Sequence, residues 1–252
     1  MKKHIFILAA AFAVTLPASA REKGLLDPPT DGKSIEVQKI SGDVTIPVLI
    51  PEIFASEGIA YQEIGMVNFG RKKVEGVSAS FAIAYTDDAI LIHYKVREPS
   101  VRAVATGDNQ RPWEDSCCEF FSSPDPDNDR YYYNLEANCT GRILIEFGTE
   151  KSSRELASEE VLGGIKRWAT LEGEPFEGRT GETAWQMALI IPFREYYFHH
   201  DIQTLEGRTI RANFYNCGDL LPVPHSQSWS PIYPPGKHFH TPDFFGTLYF
   251  KP

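Results

Sequence analysis

Two neighbouring segments, Trp113 to Phe121 (WEDSCCEFF) and Tyr131 to Asn138 (YYYNLEAN), constrain the fold more than any other part of the chain. Each is short, rich in aromatic and β-prone residues and too irregular for a helical stripe, so each reads as a β-strand. Side chains alternate faces along a strand. On that period Trp113, Asp115, Cys117, Glu119 and Phe121 share one side, and Ser116, Cys118 and Phe120 the other. In the second segment Tyr132, Asn134, Glu136 and Asn138 share one side, while Tyr133, Leu135 and Ala137 face the expected core.

Comparable runs recur along the 252 residues with turn residues between them. FAIAY (Phe81 to Tyr85) and AILIHYKV (Ala89 to Val96) flank Asp87 and Asp88, which suit a hairpin turn. Further strands are expected at Gly141–Phe147, Ile165–Thr170, Thr183–Ile191, Thr209–Tyr215 and Gly246–Phe250. Lys151–Val161 and Phe193–His199 could each supply a turn or two of helix, the first with Ser152 and Ser153 as N-caps. Trp185, Met187 and Leu189 form one face of an alternating strand and read as core, whereas nothing local places Trp168. The expected architecture is an all-β, antiparallel, jelly-roll-like sandwich in a single domain with one or two short helices.

The first twenty residues carry Lys2 and Lys3, an apolar run and the A-x-A pattern Ala18-Ser19-Ala20, which predicts a signal peptide at 1–20 and a domain at 21–252. No cysteine follows Ala20 for lipid attachment, so an exported protein, periplasmic or extracellular, is expected. Removing two lysines moves the formal charge from −9 to about −11. Such an acidic chain is a poor partner for nucleic acid, and no later stretch has the length of a membrane span. The stretches Leu26–Gly32 and Pro222–Pro235 read as an entry segment and a long loop.

Cys117, Cys118, Cys139 and Cys217 allow three complete pairings. A bond between adjacent Cys117 and Cys118 would be strained. A link from either one to Cys217 and a set of buried free thiols both stay open.

A face with aromatic rings beside carboxyl and amide groups suits sugars, whose C–H patches lie on rings while their hydroxyls need donors and acceptors. With the segments in place, the order DDAILIHYKVRE, PWEDSCCEFF, YYYNLEANCTG, AWQMALIIPF, GRTIRANFYNCGD, SWSPI and FHTPDFFGTLYF resembles the family 9 carbohydrate-binding modules of polysaccharide-degrading bacteria. The likeness runs from about Val37 to Phe250. It implies two aromatic residues clamping a sugar ring, with a carboxylate and amides on its hydroxyls. Trp113 then corresponds to the first clamp, Glu119 to the hydroxyl-binding acid and Asn134 to the binding asparagine. Tyr132 stands where better-studied members tend to carry arginine. Trp229 in SWSPI is the candidate second clamp, with Asn216 and Asp219 near a loop expected in NCGDLL. No cofactor is required by this reading, and structural calcium is the one metal the family suggests, with Asp125, Asp127 and Asp129 offering alternate oxygens. An acidic solvated turn is the competing reading of those three. Secreted glycoside hydrolases are the partners the resemblance suggests, in support of polysaccharide breakdown.

Two other functions fit parts of the sequence. Glu119 and Glu136 could serve as the carboxyl pair of a glycoside hydrolase, which predicts two carboxyls facing across a cleft. A β-sandwich that recognises another protein predicts an exposed apolar patch instead. The pairs His199/His200 and His238/His240 lack a third ligand at metal-site spacing.

Overall fold

The computed structural model describes Leu26, residues 32–233 and residues 238–252. The expected signal peptide lies outside these residues, as does part of the loop before Pro235.

Thirteen strands are described: β1 (Ser34–Lys39), β2 (Gln62–Ile64), β3 (Ser78–Tyr85), β4 (Ala89–Ala103), β5 (Cys117–Ser123), β6 (Tyr132–Asn138) and β7 (Ile143–Glu150) come first. Then follow β8 (Ser153–Leu156), β9 (Lys166–Ala169), β10 (Phe176–Pro192), β11 (Thr209–Gly218), β12 (His225–Ser228) and β13 (Gly246–Phe250). One sheet runs β8-β7-β6-β5-β11-β13-β1, with β12 added to β11; the other runs β1-β3-β4-β10-β9, with β2 on β3. Strand β1 belongs to both, pairing in parallel with β13 through Ser34–Val37 and with β3 through Gln38 and Lys39. The remaining pairings are antiparallel, including the expected β3–β4 hairpin.

The sheets pack face to face over one large apolar core. From one side come Phe81, Ile83, Ile90, Ile92, Tyr94, Trp185, Met187 and Leu189, and from the other Phe120, Leu135, Ala137, Ile145 and Phe214. Phe81 stacks on Phe214 at 3.5 Å between centroids, and the Tyr94 hydroxyl crosses the core to donate to the Glu119 carbonyl at 3.1 Å. The alternating residues Ala82, Ala84, Leu91, Ala188 and Ile190 point the opposite way, under the helix α1 (Ile50–Ser56), where Ile50 and Phe54 and the partly buried Trp168 cover them. Apolar contact on both faces is why AILIHYKV reads as a continuous run rather than as alternation.

Several boundaries differ from the sequence reading. Strand β5 starts at Cys117, because Pro112–Glu114 form a 3-10 turn that proline opens. The segment expected as helix at Lys151–Val161 divides into β8 and the helix α2 (Glu159–Gly164), whose cap is Ser158, not Ser152 or Ser153. Beyond Phe193 only the 3-10 turn Phe193–Glu195 forms. All four cysteines are free and buried. Cys118 points into the core and Cys117 away from it, and Cys117 is the one that faces Cys217.

Candidate functional site

The outer face of the first sheet carries the chemistry. Register across β11, β5 and β6 sets Tyr215, Glu119 and Glu136 side by side in one row. Cys217, Cys117 and Asn138 form the next row, and Asn213, Phe121 and Asn134 the row on the other side. Phe121, Tyr132 and Tyr215 pack with Ile232 and Phe245 into a small aromatic cluster, so one end of this face is roofed by the segment around the 3-10 turn Pro242–Phe244. The other end stays open as a cleft of about 420 Å³.

Trp113 stands on the wall of that cleft and Glu119 and Glu136 on its floor. The expectation that Trp113 and Glu119 share a strand face is corrected, since Trp113 lies in the turn before β5. The turn is held instead to the end of β11, with the Asp219 amide donating to the Trp113 carbonyl at 3.0 Å and the Leu220 amide to that of Glu114 at 3.2 Å. Phe69 and Phe239 supply further aromatic lining, and Phe239 stacks on Tyr215 at 4.1 Å. Arg71 and Lys151 are exposed at the lip, with Asp219, Ser226, His238 and His240 completing the wall.

Beneath the opening, each acid is fixed by its neighbours. Asn134, fully buried, donates to Glu136 Oε1 at 2.9 Å and to Glu146 Oε2 at 3.2 Å, and accepts from Arg154 Nε at 2.8 Å. The Arg154 guanidinium lies over the Tyr132 ring at 4.1 Å and donates to the Tyr132 and Glu146 carbonyls. Tyr132 meets His240 Nδ1 through its hydroxyl at 3.0 Å. Glu119 accepts from the Cys217 thiol at 2.9 Å through Oε1. The second oxygens, Glu119 Oε2 and Glu136 Oε2, are buried without a partner in the protein. Burial first, and then the Glu136 carboxyl, hold the Glu119 carboxyl well above the usual range. Burial does the same to Glu136 against the opposing hydrogen bond from Asn134. Both acids are thereby biased to the protonated form, in which a carboxyl both donates and accepts.

Of the six residues expected in the site, Trp113 and Glu119 line the cleft. Asn134 and Tyr132 lie one layer below it, where they hold Glu136, Glu146 and Arg154. Trp229 is corrected to a core residue: it is 1 % exposed and packs edge-on against Phe81 at 5.8 Å and Phe214 at 5.9 Å. Asn216 is corrected too. Phe214 faces the core, so Asn216 two residues on faces inward as well, donating to the Cys117 carbonyl and accepting from His225 Nε2. The aromatic lining opposite to expectation comes from Phe239 in FHTPDFFGTLYF, a string notable from the start, and from Phe69, which no motif marks.

Two aspartates of SPDPDNDR take part in a hydrogen-bonded turn. Asp125 accepts from Asn128 Nδ2, and Asp129 accepts from the Tyr131 amide and faces His199 Nε2 at 3.0 Å.

Comparison with known proteins bears on the family and the fold. The model of carbohydrate-binding family 9 matches residues 49–250. A candidate carbohydrate-binding protein from Bacteroides uniformis ATCC 8492 is 46% identical, with a TM-score of 0.81 over 87% of this chain and 100% of that one. Family 9 modules from Caldicellulosiruptor kristjanssonii share the fold at 12% and 13% identity. The one solved with glucose has a TM-score of 0.57 over 87% of this chain and 96% of its own. The one solved with cellotriose has 0.55 over 87% and 94%. No curated protein shows significant similarity. A match over so much of the chain means that this protein belongs to carbohydrate-binding family 9.

Proposed function

We propose that this protein is a non-catalytic carbohydrate binder that takes a sugar ring into the cleft beside Trp113. The observation that carries the reading is the pairing of an aromatic wall with two buried carboxyls, Glu119 and Glu136, whose second oxygens lack a partner. A buried polar atom without a partner costs about 1–3 kcal/mol, and a sugar hydroxyl would relieve that cost at either acid. Ring stacking on Trp113 supplies contact area, and the acids select hydroxyl geometry. Asn134, Tyr132 and Arg154 act through Glu136 and Glu146 as positioning residues. Export to the periplasm or beyond, and service to polysaccharide breakdown beside glycoside hydrolases, complete the proposal; among the described residues no helix is long and apolar enough to cross a membrane.

Binding is favoured over hydrolysis by the placement of the acids. Glycosidases set their two carboxyls on either side of the scissile bond, whereas Glu119 and Glu136 are side by side on one floor. Calorimetric titration with glucose, cellotriose and a panel of plant and host oligosaccharides tests the proposal. Heat with one sugar class that fades in Glu119→Gln supports it. Silence across the panel from folded protein would leave family membership as evidence of fold alone.

A further inference from the structure

Cys117 and Cys217 are direct partners across β5 and β11, and Glu119 is two residues along from Cys117 on the same face. The two sulfurs and a Glu119 oxygen lie within 4.8 Å of one another, the one such group of three metal-ligating side chains among the described residues. All three side chains are buried. We infer that Cys117, Cys217 and Glu119 form a binding site for a zinc-type divalent cation at the floor of the cleft.

Four observations carry this. The donor set is two sulfurs and one carboxylate oxygen, which suits zinc and excludes calcium, an ion that takes six to eight oxygens. Three protein ligands leave one position of a four-coordinate ion for an outside group, and Glu119 and Cys217 both line the cleft through which that group would arrive. Glu119 Oε2, fully buried, has no partner in the protein, and Oε1 is held only by the Cys217 thiol, so an ion answers an orphaned atom while displacing that bond and the long thiol contacts to the Cys118 and Trp113 carbonyls. Lastly, Glu119 stands against a second buried carboxyl, Glu136, and a divalent cation would offset the charge that Glu119 takes on when it gives up its proton to bind. In a tetrahedral site, metal–sulfur bonds of about 2.3 Å put the sulfurs roughly 3.8 Å apart, a separation within the span already present. Binding would release the thiol protons and the proton held by Glu119 to solvent.

Cobalt(II) tests the site directly. Added to the reduced protein, it should give a thiolate-to-metal charge-transfer band and intense visible bands of a four-coordinate ion, saturating at one equivalent and displaced by zinc. Cys117→Ser with Cys217→Ser should abolish the charge-transfer band and weaken zinc uptake at least tenfold. Zinc should also raise the melting temperature of the unsubstituted protein, with reversal by chelator. No thiolate band from protein whose thiols are shown to be reduced would overturn the inference. Equal zinc uptake by the double variant would overturn it too, as would isolation of a chain two hydrogens lighter with Cys117 joined to Cys217. None of these readouts involves sugar, so a failure of carbohydrate binding leaves the metal result standing and the reverse also holds.

Discussion

Glu119 and Glu136 are direct partners across β5 and β6, each with one buried oxygen that no protein group satisfies. Two acids so placed hold their protons more tightly than isolated ones, because burial and mutual repulsion both oppose ionisation. A floor of this kind offers hydroxyls a donor and an acceptor from each carboxyl. It remains one-sided, with the aromatic groups on the walls.

The stacking role of Trp113 has a simple consequence. Truncation of a central aromatic in a binding site costs at least about 2 kcal/mol, so Trp113→Ala should weaken sugar binding by about 30-fold or more. Its backbone carbonyl still accepts from Asp219, and the turn should survive. Calorimetry beside a circular dichroism spectrum checks both parts; retained affinity in folded protein would exclude stacking on this residue.

Trp229 should behave in the opposite manner. Because it fills the core against Phe81 and Phe214, Trp229→Ala should cost about 3–5 kcal/mol of stability. Denaturant unfolding measures the loss. A fully stable variant with lost sugar binding would return Trp229 to the cleft.

Asn134 ties together Glu136, Glu146 and Arg154, so Asn134→Ala strands several buried polar groups at once. The expected loss is about 1–3 kcal/mol in stability for the groups left unpaired, with weaker sugar binding as Glu136 loses its fixed position. Asn134→Asp should also fail, since it replaces the donor to two carboxyls with a third acid. Unfolding curves and titration of both variants against the same ligand separate the two effects.

Glu98 predicts a pH dependence. It is fully buried, accepts from Trp185 Nε1 at 2.7 Å, and burial raises its carboxyl to about 7 from 4.5. The folded state therefore holds a proton that the unfolded chain releases above about 4.5. Its contribution to stability is complete below that pH and is lost as pH rises through 7. The difference is on the order of 3 kcal/mol. Glu98→Gln keeps an acceptor for Trp185 and should flatten stability between pH 4.5 and 7; an unchanged slope in urea melts would rule Glu98 out as its source.

The sandwich was legible because strand alternation and turn chemistry are local properties. AILIHYKV, TAWQMALIIPF and GTLYF all occupy the strands their patterns indicate, and Trp185 is in the core. Contacts that depend on register were harder to read. Trp113 fits an alternating strand until Pro112 turns the chain, and both placements put the indole near Glu119. Asn216 looks like a surface group only if the inward direction of β11 is left out, and Trp229 lies just past the short strand β12, whose pairing with β11 no local pattern announces. Phe69 enters the cleft from a loop with no periodicity at all. The cap at Ser158 was missed because Ser152 and Ser153 offered equally good local chemistry earlier in the segment.

Strand β1 carries a consequence for how the chain reaches this structure. Ser34–Val37 pair with Thr247–Phe250, the last strand, and Gln38 and Lys39 pair with β3. The seam between the sheets thus joins strands far apart in the sequence. The β3–β4 hairpin joins residues close in sequence, whereas the seam waits on a strand far along the chain from β1. Contacts at that separation are the slow ones in folding. Until they form, β1 has an open edge on its β13 side, where an unpaired strand can recruit another chain.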